Sequence, residues 1–364
     1  MSGGISATTQ SDAGWMGSLI DDTASVRQKL ETLTNQASTG LIGTTYAGLG
    51  SGAAVSLNLN PEIADLTTWQ NNINQATGSM QLTQTAMTQL QSIASSFYSQ
   101  VNALSSASGS SVDVLAASAQ SALQEVAGLL DTTDGNTYVF GGADSTNPPV
   151  PDPDGILTSG FYTQINAAVG NLATNGAAAT TAATLATASS NAVGTSPFSA
   201  YMSQPAATLQ AGAPVVQVGQ GQVVQVGLLA SANSSATSTG SSTTGSYMRD
   251  LMSALATIGS LSSSQVGDSG FQGLVQATSS SLQGVVSAMA GDAGVLGNTQ
   301  TALTTTQSQM ADTVTALTTQ VSAAQNVDMA QTLTNLTLVQ TQLQASYQII
   351  AGMTALSLVK FLPV

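Results

Sequence analysis

The sequence predicts a mainly α protein, with a long antiparallel coiled-coil helical rod built from both chain ends and a smaller β-rich middle insertion. Three observations predict it. Apolar residues alternate at spacings of three and four through residues 66–104, and recur every seven through 296–324. All prolines but Pro61 and Pro363 fall between residues 135 and 246, so the middle is composed unlike the ends. The two ends each carry an apolar helical stripe, so each needs a partner.

In chain order, residues 1–45 form the first segment. Leu19, Val26, Leu30, Leu33 and Ala37 make a stripe with Thr23 in the remaining heptad slot. Gly48-Leu49-Gly50-Ser51-Gly52 has the glycines of a phosphate loop, but neither the Walker lysine nor a nucleotide-fold strand pattern accompanies it, so a joint between helices is the better reading. Residues 46–142 are the first half of the rod. Its seam runs Leu66, Trp69, Ile73, Ala76, Met80, Thr83, Met87, Leu90, Ala94, Phe97, Val101, Leu104, and eleven of the twelve are apolar. A 3.5-residue repeat held this long is a coiled-coil seam, and at 1.5 Å per residue it spans roughly 58 Å. Asn60-Pro61-Glu62 is expected to start it, with Asn60 as cap and Pro61 in the first turn. Val112, Leu115, Ala119, Ala122, Val126 and Leu129 repeat the pattern after a Ser/Gly-rich stretch, Ser105 to Ser111. A helical hairpin is the simplest arrangement, and one continuous helix with a soft point at Gly109 is the alternative.

Residues 143–210 are expected to project outward, and the Ala/Thr-rich part at 166–195 carries no assignment. Residues 211–325 hold a hairpin and the second half of the rod. Two alternating strands flank Gly219-Gln220-Gly221 within Pro214–Gly227, and Ser231–Ser246 reads as an exposed polar loop. Leu296, Leu303, Met310, Leu317 and Ala324 then recur every seven, with Val314 and Val321 widening the stripe. Residues 326–364 end the chain with two apolar rows. One is Leu336, Leu343, Ile350, and the other Leu338, Ala345, Ile349, Leu356, Val359. Such a helix must be buried on several sides.

Composition narrows the chemistry. The 364 residues include no Cys and no His, which excludes thiol and imidazole catalysis and nearly every zinc site. Against 18 acidic residues stand four cations, Arg27, Lys29, Arg249 and Lys360. A net charge of −14 disfavours nucleic acid and basic membrane-surface helices. No cofactor and no membrane insertion are expected, and the N-terminus lacks the n- and h-regions of a cleavable signal peptide. Asp131, Asp134, Asp144, Asp152 and Asp154 sit in a turn region and read as solvated loop acids rather than a paired acid–base site. Asp152-Pro153-Asp154-Gly155 lacks the ligand spacing of a calcium loop. Trp15 and Trp69 fall near helical seams and read as packing residues. The chain is therefore expected not to be an enzyme.

Specific residues carry a family resemblance. Val327-Asp328-Met329-Ala330, Leu333-Thr334-Asn335-Leu336, Gln340-Thr341-Gln342 and Leu356-Ser357-Leu358 are similar to the terminal helix of the flagellin family. The hairpin Pro214–Gly227 and the run Tyr247–Leu255 after it resemble that family's inner domain. Within the family, Tyr138-Val139-Phe140-Gly141-Gly142 followed by Pro148-Pro149 resembles hook–filament junction members more than the main filament subunit. Two elements depart from the pattern: Ser38-Thr39-Gly40-Leu41-Ile42 lacks the family's cation, and Tyr46–Gly50 replaces its Asp-Asp-Pro-Ala stretch.

The resemblance implies a secreted structural subunit of the bacterial flagellum that leaves through the type III channel. Its implied partners are copies of itself, hook-associated proteins, flagellin and an export chaperone. The main filament subunit is the alternative, and a coiled-coil secreted effector or translocator a further one. Leu19, Val26, Leu33, Leu336, Leu343, Ile350 and Leu356 are the expected assembly interface. Trp69, Ile73, Met80, Met87, Leu90, Phe97, Val101 and Leu104 are the expected rod seam.

Overall fold

A computed structural model of the chain describes residues 6–104, 109–233 and 235–359, with side chains from residue 17 to residue 352. It divides into two compact units, a terminal one of residues 1–66 and 312–364 and a central one of residues 67–311.

In the terminal unit, α1 (Ser6–Thr39) ends where Gly40 turns to φ +74°, its N–H donating to Gln36 O at 2.8 Å. A 3-10 turn follows, and then α2 (Gly52–Ala103) begins. The end of α8 (Phe271–Gln325) lies against that start. Gln325 Nε2 donates to Ser56 Oγ at 3.0 Å, and a Cβ at Gly52 would stand 2.5 Å from Ala324 O. Only glycine permits so close an approach. The connections on either side are tied together as well, Ile42 N–H donating to Gln325 O and Val327 N–H to Gly40 O. Asp328 then opens α9 (Met329–Val359) as an N-cap, accepting from the N–H groups of Ala330 and Gln331.

The start of α2 corrects the sequence reading. Pro61 lies inside the helix, not in its first turn. A proline there removes one helical hydrogen bond and strains the preceding turn. Leu57, Asn60, Pro61 and Glu62 are all exposed, so the carbonyl left without a donor is in a turn that water reaches. The helix gains a start at Gly52 instead, where it packs on α8.

In the central unit, α2 and α8 run antiparallel. Gln307 Nε2 donates to Asn74 Oδ1 and Ser279 Oγ to Asn102 Oδ1, each at 2.6 Å. Twenty-eight residues forward on α2 thus match twenty-eight back on α8. After α2 comes α3 (Gly109–Leu130), leading into the short pair β1 (Thr133–Asp134) and β2 (Thr137–Tyr138). Asp134 and Thr137 share a pocket wall with Asn72, Gln75 and Ser79 of α2, so α3 has returned along α2. This is the hairpin alternative.

The remainder is α4 (Gly160–Gly170), α5 (Leu172–Ser189, broken at Gly176), α6 (Ala206–Ala211), β3 (Val215–Gly219), β4 (Gln222–Gln225) and α7 (Tyr247–Gly259). Strands β3 and β4 are antiparallel, and Gly221 supplies the φ of +73° that the turn requires. Among the described residues all four strands fall between 133 and 225, in the middle of the chain as the sequence predicts, and residues 143–210 hold none of them. Nor does this segment stand as a separate domain. Phe161, Ile165, Val169 and Leu172 are fully buried, and α4 and α5 pack on α7. Every residue of α7 is buried. The Tyr162 hydroxyl and Gln120 Nε2 both donate to Gly259 O, closing the C-terminal end of α7.

Asp131, just beyond α3, accepts a hydrogen bond from Val150 N–H at 2.9 Å and so pins the start of the insertion. Burial raises its pKa to about 6, against the opposing pull of that N–H. The folded chain therefore holds this proton more tightly than the unfolded chain does. The resulting stability is complete below about pH 4 and is lost as pH rises through about 6. Asp131→Asn keeps an acceptor oxygen without the charge. It is expected to stabilise the protein at pH 7 by about 1 kcal/mol, a figure discounted because the group is half exposed, and to flatten the stability profile between those pH values. Urea unfolding across that range checks this; equal slopes for both proteins would refute it.

Candidate assembly interface

The expected seam residues lie together in the central unit. Ile73, Met80, Met87, Leu90, Phe97, Val101 and Leu104 are buried, and Trp69 is half-buried. Thr83, the polar member of the repeat, is also buried. Its hydroxyl donates to Ser79 O at 3.0 Å, which satisfies it within its own helix. The facing helix α8 keeps a matching row, Leu282, Val285, Met289, Asp292, Leu296, Leu303 and Met310.

Asp292 sits at a core slot of that row, three residues after Met289 and four before Leu296, and the sequence reading did not single it out. Tyr247 of α7 donates its hydroxyl to Asp292 Oδ2 at 2.8 Å. Burial, then the charge and hydrogen bond of Asp292, hold the Tyr247 hydroxyl well above the usual range. The pair is a polar link between α7 and α8. The detectable signal was a carboxylate at an apolar heptad position.

In the terminal unit, α1 packs on α9. Up to Leu33 the less exposed positions of α1 are Leu19, Thr23, Val26, Leu30 and Leu33, and up to Ile350 those of α9 are Thr332, Leu336, Val339, Leu343, Ser346 and Ile350. Both sets alternate four and three, the signature of a paired helical seam. Six of the seven expected assembly residues thus belong to this intrachain pair. The seventh, Leu356, has a side chain outside the described residues.

The apolar residues left open are different ones. Leu338 is 62% exposed and Ile349 53%, and with Ala345 they line one flank of the α9 seam. Met329, Leu333 and Tyr347 line the other flank, with Leu333 49% exposed. At 100° per residue the two flanks lie on either side of the buried row. Between them on the far side run Thr334, Thr337, Thr341, Gln344 and Gln348, all exposed. One helix thus carries an apolar row used within the chain and two more that the chain leaves open. Large exposed aliphatic side chains in rows mark a surface that another protein surface covers.

In the central unit the hairpin adds a smaller patch, Val215 and Val223 on the outward face of β3–β4. Among the described residues there is no cluster of three metal-ligating side chains, and no helix is long and apolar enough to cross a membrane.

Residues 18–144 match the bacterial flagellin N-terminal helical region, and residues 280–362 match the bacterial flagellin C-terminal helical region. The two matches together span more than half of the chain and include all of α2, α3 and α9 and most of α8. A search of curated proteins finds no significant match.

Proposed function

Because the chain belongs to the flagellin family, and is therefore a structural subunit of the bacterial flagellum, we propose that it occupies the hook–filament junction and assembles there through the open flanks of α9. The assembly mode is supported by the open rows beside a closed intrachain seam. Leu338 and Ile349 on one side, and Leu333 and Tyr347 on the other, give each copy two apolar strips for its neighbours. Burying them removes hydrocarbon from water at roughly 25 cal/mol per Å². Few charges oppose close packing, since charged residues make up only 6% of the chain.

The junction position rests on the segment Tyr138–Gly142 with Pro148-Pro149, and its likeness to junction members carries the choice. In the fold this segment is a compact knot. Tyr138 N–H donates to Ser145 O and Gly141 N–H to Tyr138 O, and Phe140 is wholly buried. Ala230 N–H donates to Phe140 O, tying the knot to the chain leaving the hairpin. At the junction the subunit would meet hook-associated proteins on one side and flagellin on the other. An export chaperone would hold the terminal helices apart before assembly, and the subunit would act outside the cell without enzymatic chemistry.

Electron microscopy of the concentrated purified protein tests the position. Short polymers are expected. Long filaments would overturn the junction reading and make the chain a filament subunit.

A further inference from the structure

One cation, Arg249, stands among residues 67–311, against ten carboxylates. It lies in the first turn of α7 and is 7% exposed. Its Nε donates to Ser231 O at 3.0 Å, Nη1 to Ala188 O at 2.9 Å and to Ser190 O at 3.4 Å, and Nη2 to Asn191 Oδ1 at 2.7 Å. The ring of Phe198 lies 5.1 Å from the guanidinium carbon. Every one of these partners is neutral. The adjacent carboxylate is engaged elsewhere: Asp250 accepts from Thr243 Oγ1, Thr244 N–H and Thr244 Oγ1 at 2.5, 2.6 and 2.7 Å. Burial pushes the guanidinium pKa below its ordinary value. A guanidinium carries five N–H donors, so these four bonds leave one on Nη2.

Arg249 also lines a cavity of about 270 Å³ between the end of α5, helix α6 and the chain entering α7. The amides of Asn191, Gln204 and Gln210 and the hydroxyls of Thr237 and Ser246 line it too, with Leu209 as an apolar wall. A buried positive charge without a countercharge attracts an anion far more strongly than a surface cation does. The amides and hydroxyls suit a ligand that has hydroxyl groups of its own. The volume is at the small end of ligand sites and suits one sugar ring.

We propose that this cavity binds a small hydroxylated carboxylate of the uronic or aldonic acid class. The carboxylate sits against Arg249, and the ligand's hydroxyls bond the amide and hydroxyl groups of the wall. A neutral sugar leaves the charge uncompensated, and an inorganic anion makes no use of the wall's remaining amide and hydroxyl groups.

Isothermal titration of the full-length protein with D-glucuronate, D-glucose and sulfate tests this. Glucuronate is expected to bind at least about tenfold more tightly than either of the others, a difference well within calorimetric reach. Ala206→Trp, placed from the exposed side of α6 into the cavity mouth, is expected to weaken glucuronate binding by about tenfold or more without moving the melting temperature. Arg249→Gln should do the same. If that variant fails to fold, having lost its clamp on α5, Ala206→Trp decides the matter alone. Equal binding of glucose and glucuronate, sulfate binding as tight as glucuronate, no binding of any probe, or binding indifferent to Ala206→Trp would each overturn the proposal.

Discussion

Leu338→Asp combined with Ile349→Asp is expected to abolish polymerisation while leaving the monomer folded. Both side chains are more than half exposed in the single chain, so charges there are solvated and cost the monomer within about 0.5 kcal/mol each. Buried against a neighbour they would be unpaired carboxylates in a dry interface, at several kcal/mol per ion. A loss of even about 4 kcal/mol per contact weakens association roughly a thousandfold. The inner row gives the contrast. Leu336→Asp with Leu343→Asp would place the same two charges in the seam between α1 and α9, and is expected to melt that pair in the isolated monomer. Sedimentation reads the first effect and circular dichroism the second. Polymers at normal yield from the outer-row variant would exclude those residues from the assembly contact.

Phe97→Asp is expected to unfold much of the central unit. Phe97 is buried in the long seam, with Ala94 fully buried one turn before it and Val101 nearly so one turn after. Removing a buried Phe side chain costs about 3–5 kcal/mol, and a buried unpaired carboxylate adds to that. Whole domains are stable by only about 5–15 kcal/mol, so most of the margin goes. Gln100→Asp, three residues on and exposed, is the control and is expected to change stability by about 0.5 kcal/mol or less. Urea denaturation followed at 222 nm, the usual helix signal, compares them. Near-equal midpoints for Phe97→Asp and wild type would mean the seam does not bear on the fold.

The long seam was legible because heptad repetition is a signal that local sequence carries by itself. From Ile73 to Leu104 the spacing alone names the buried face. The β-hairpin was legible for the same reason, through Gly221 and the valines around it. The start of α2 was not. Pro61 reads as a helix start by local preference, and what overrides it is Gly52 closing on Ala324, a contact 272 residues away in sequence. The segment 166–195 gave no period because small Ala and Thr side chains pack equally well on several faces. The surfaces of α7 and α8 decide which of them is inside. The assembly surface was half legible. Sequence showed that α9 carries more than one apolar row, but both rows look alike until α1 takes one of them.

The wholly buried α7 has a consequence for the order in which the chain can become structured. Its partners in α3 lie well over a hundred residues earlier, as the bond from Gln120 to Gly259 shows. Bringing such distant segments together loses chain entropy before any contact compensates for it, so folds dominated by these pairings form slowly. In a chain that emerges from its N-terminus, Val112, Leu115, Leu123 and Val126 stay without their partner until residue 259 is free. The first half of the sequence therefore cannot complete its packing by itself, and its long helices wait for the second half before they lock together.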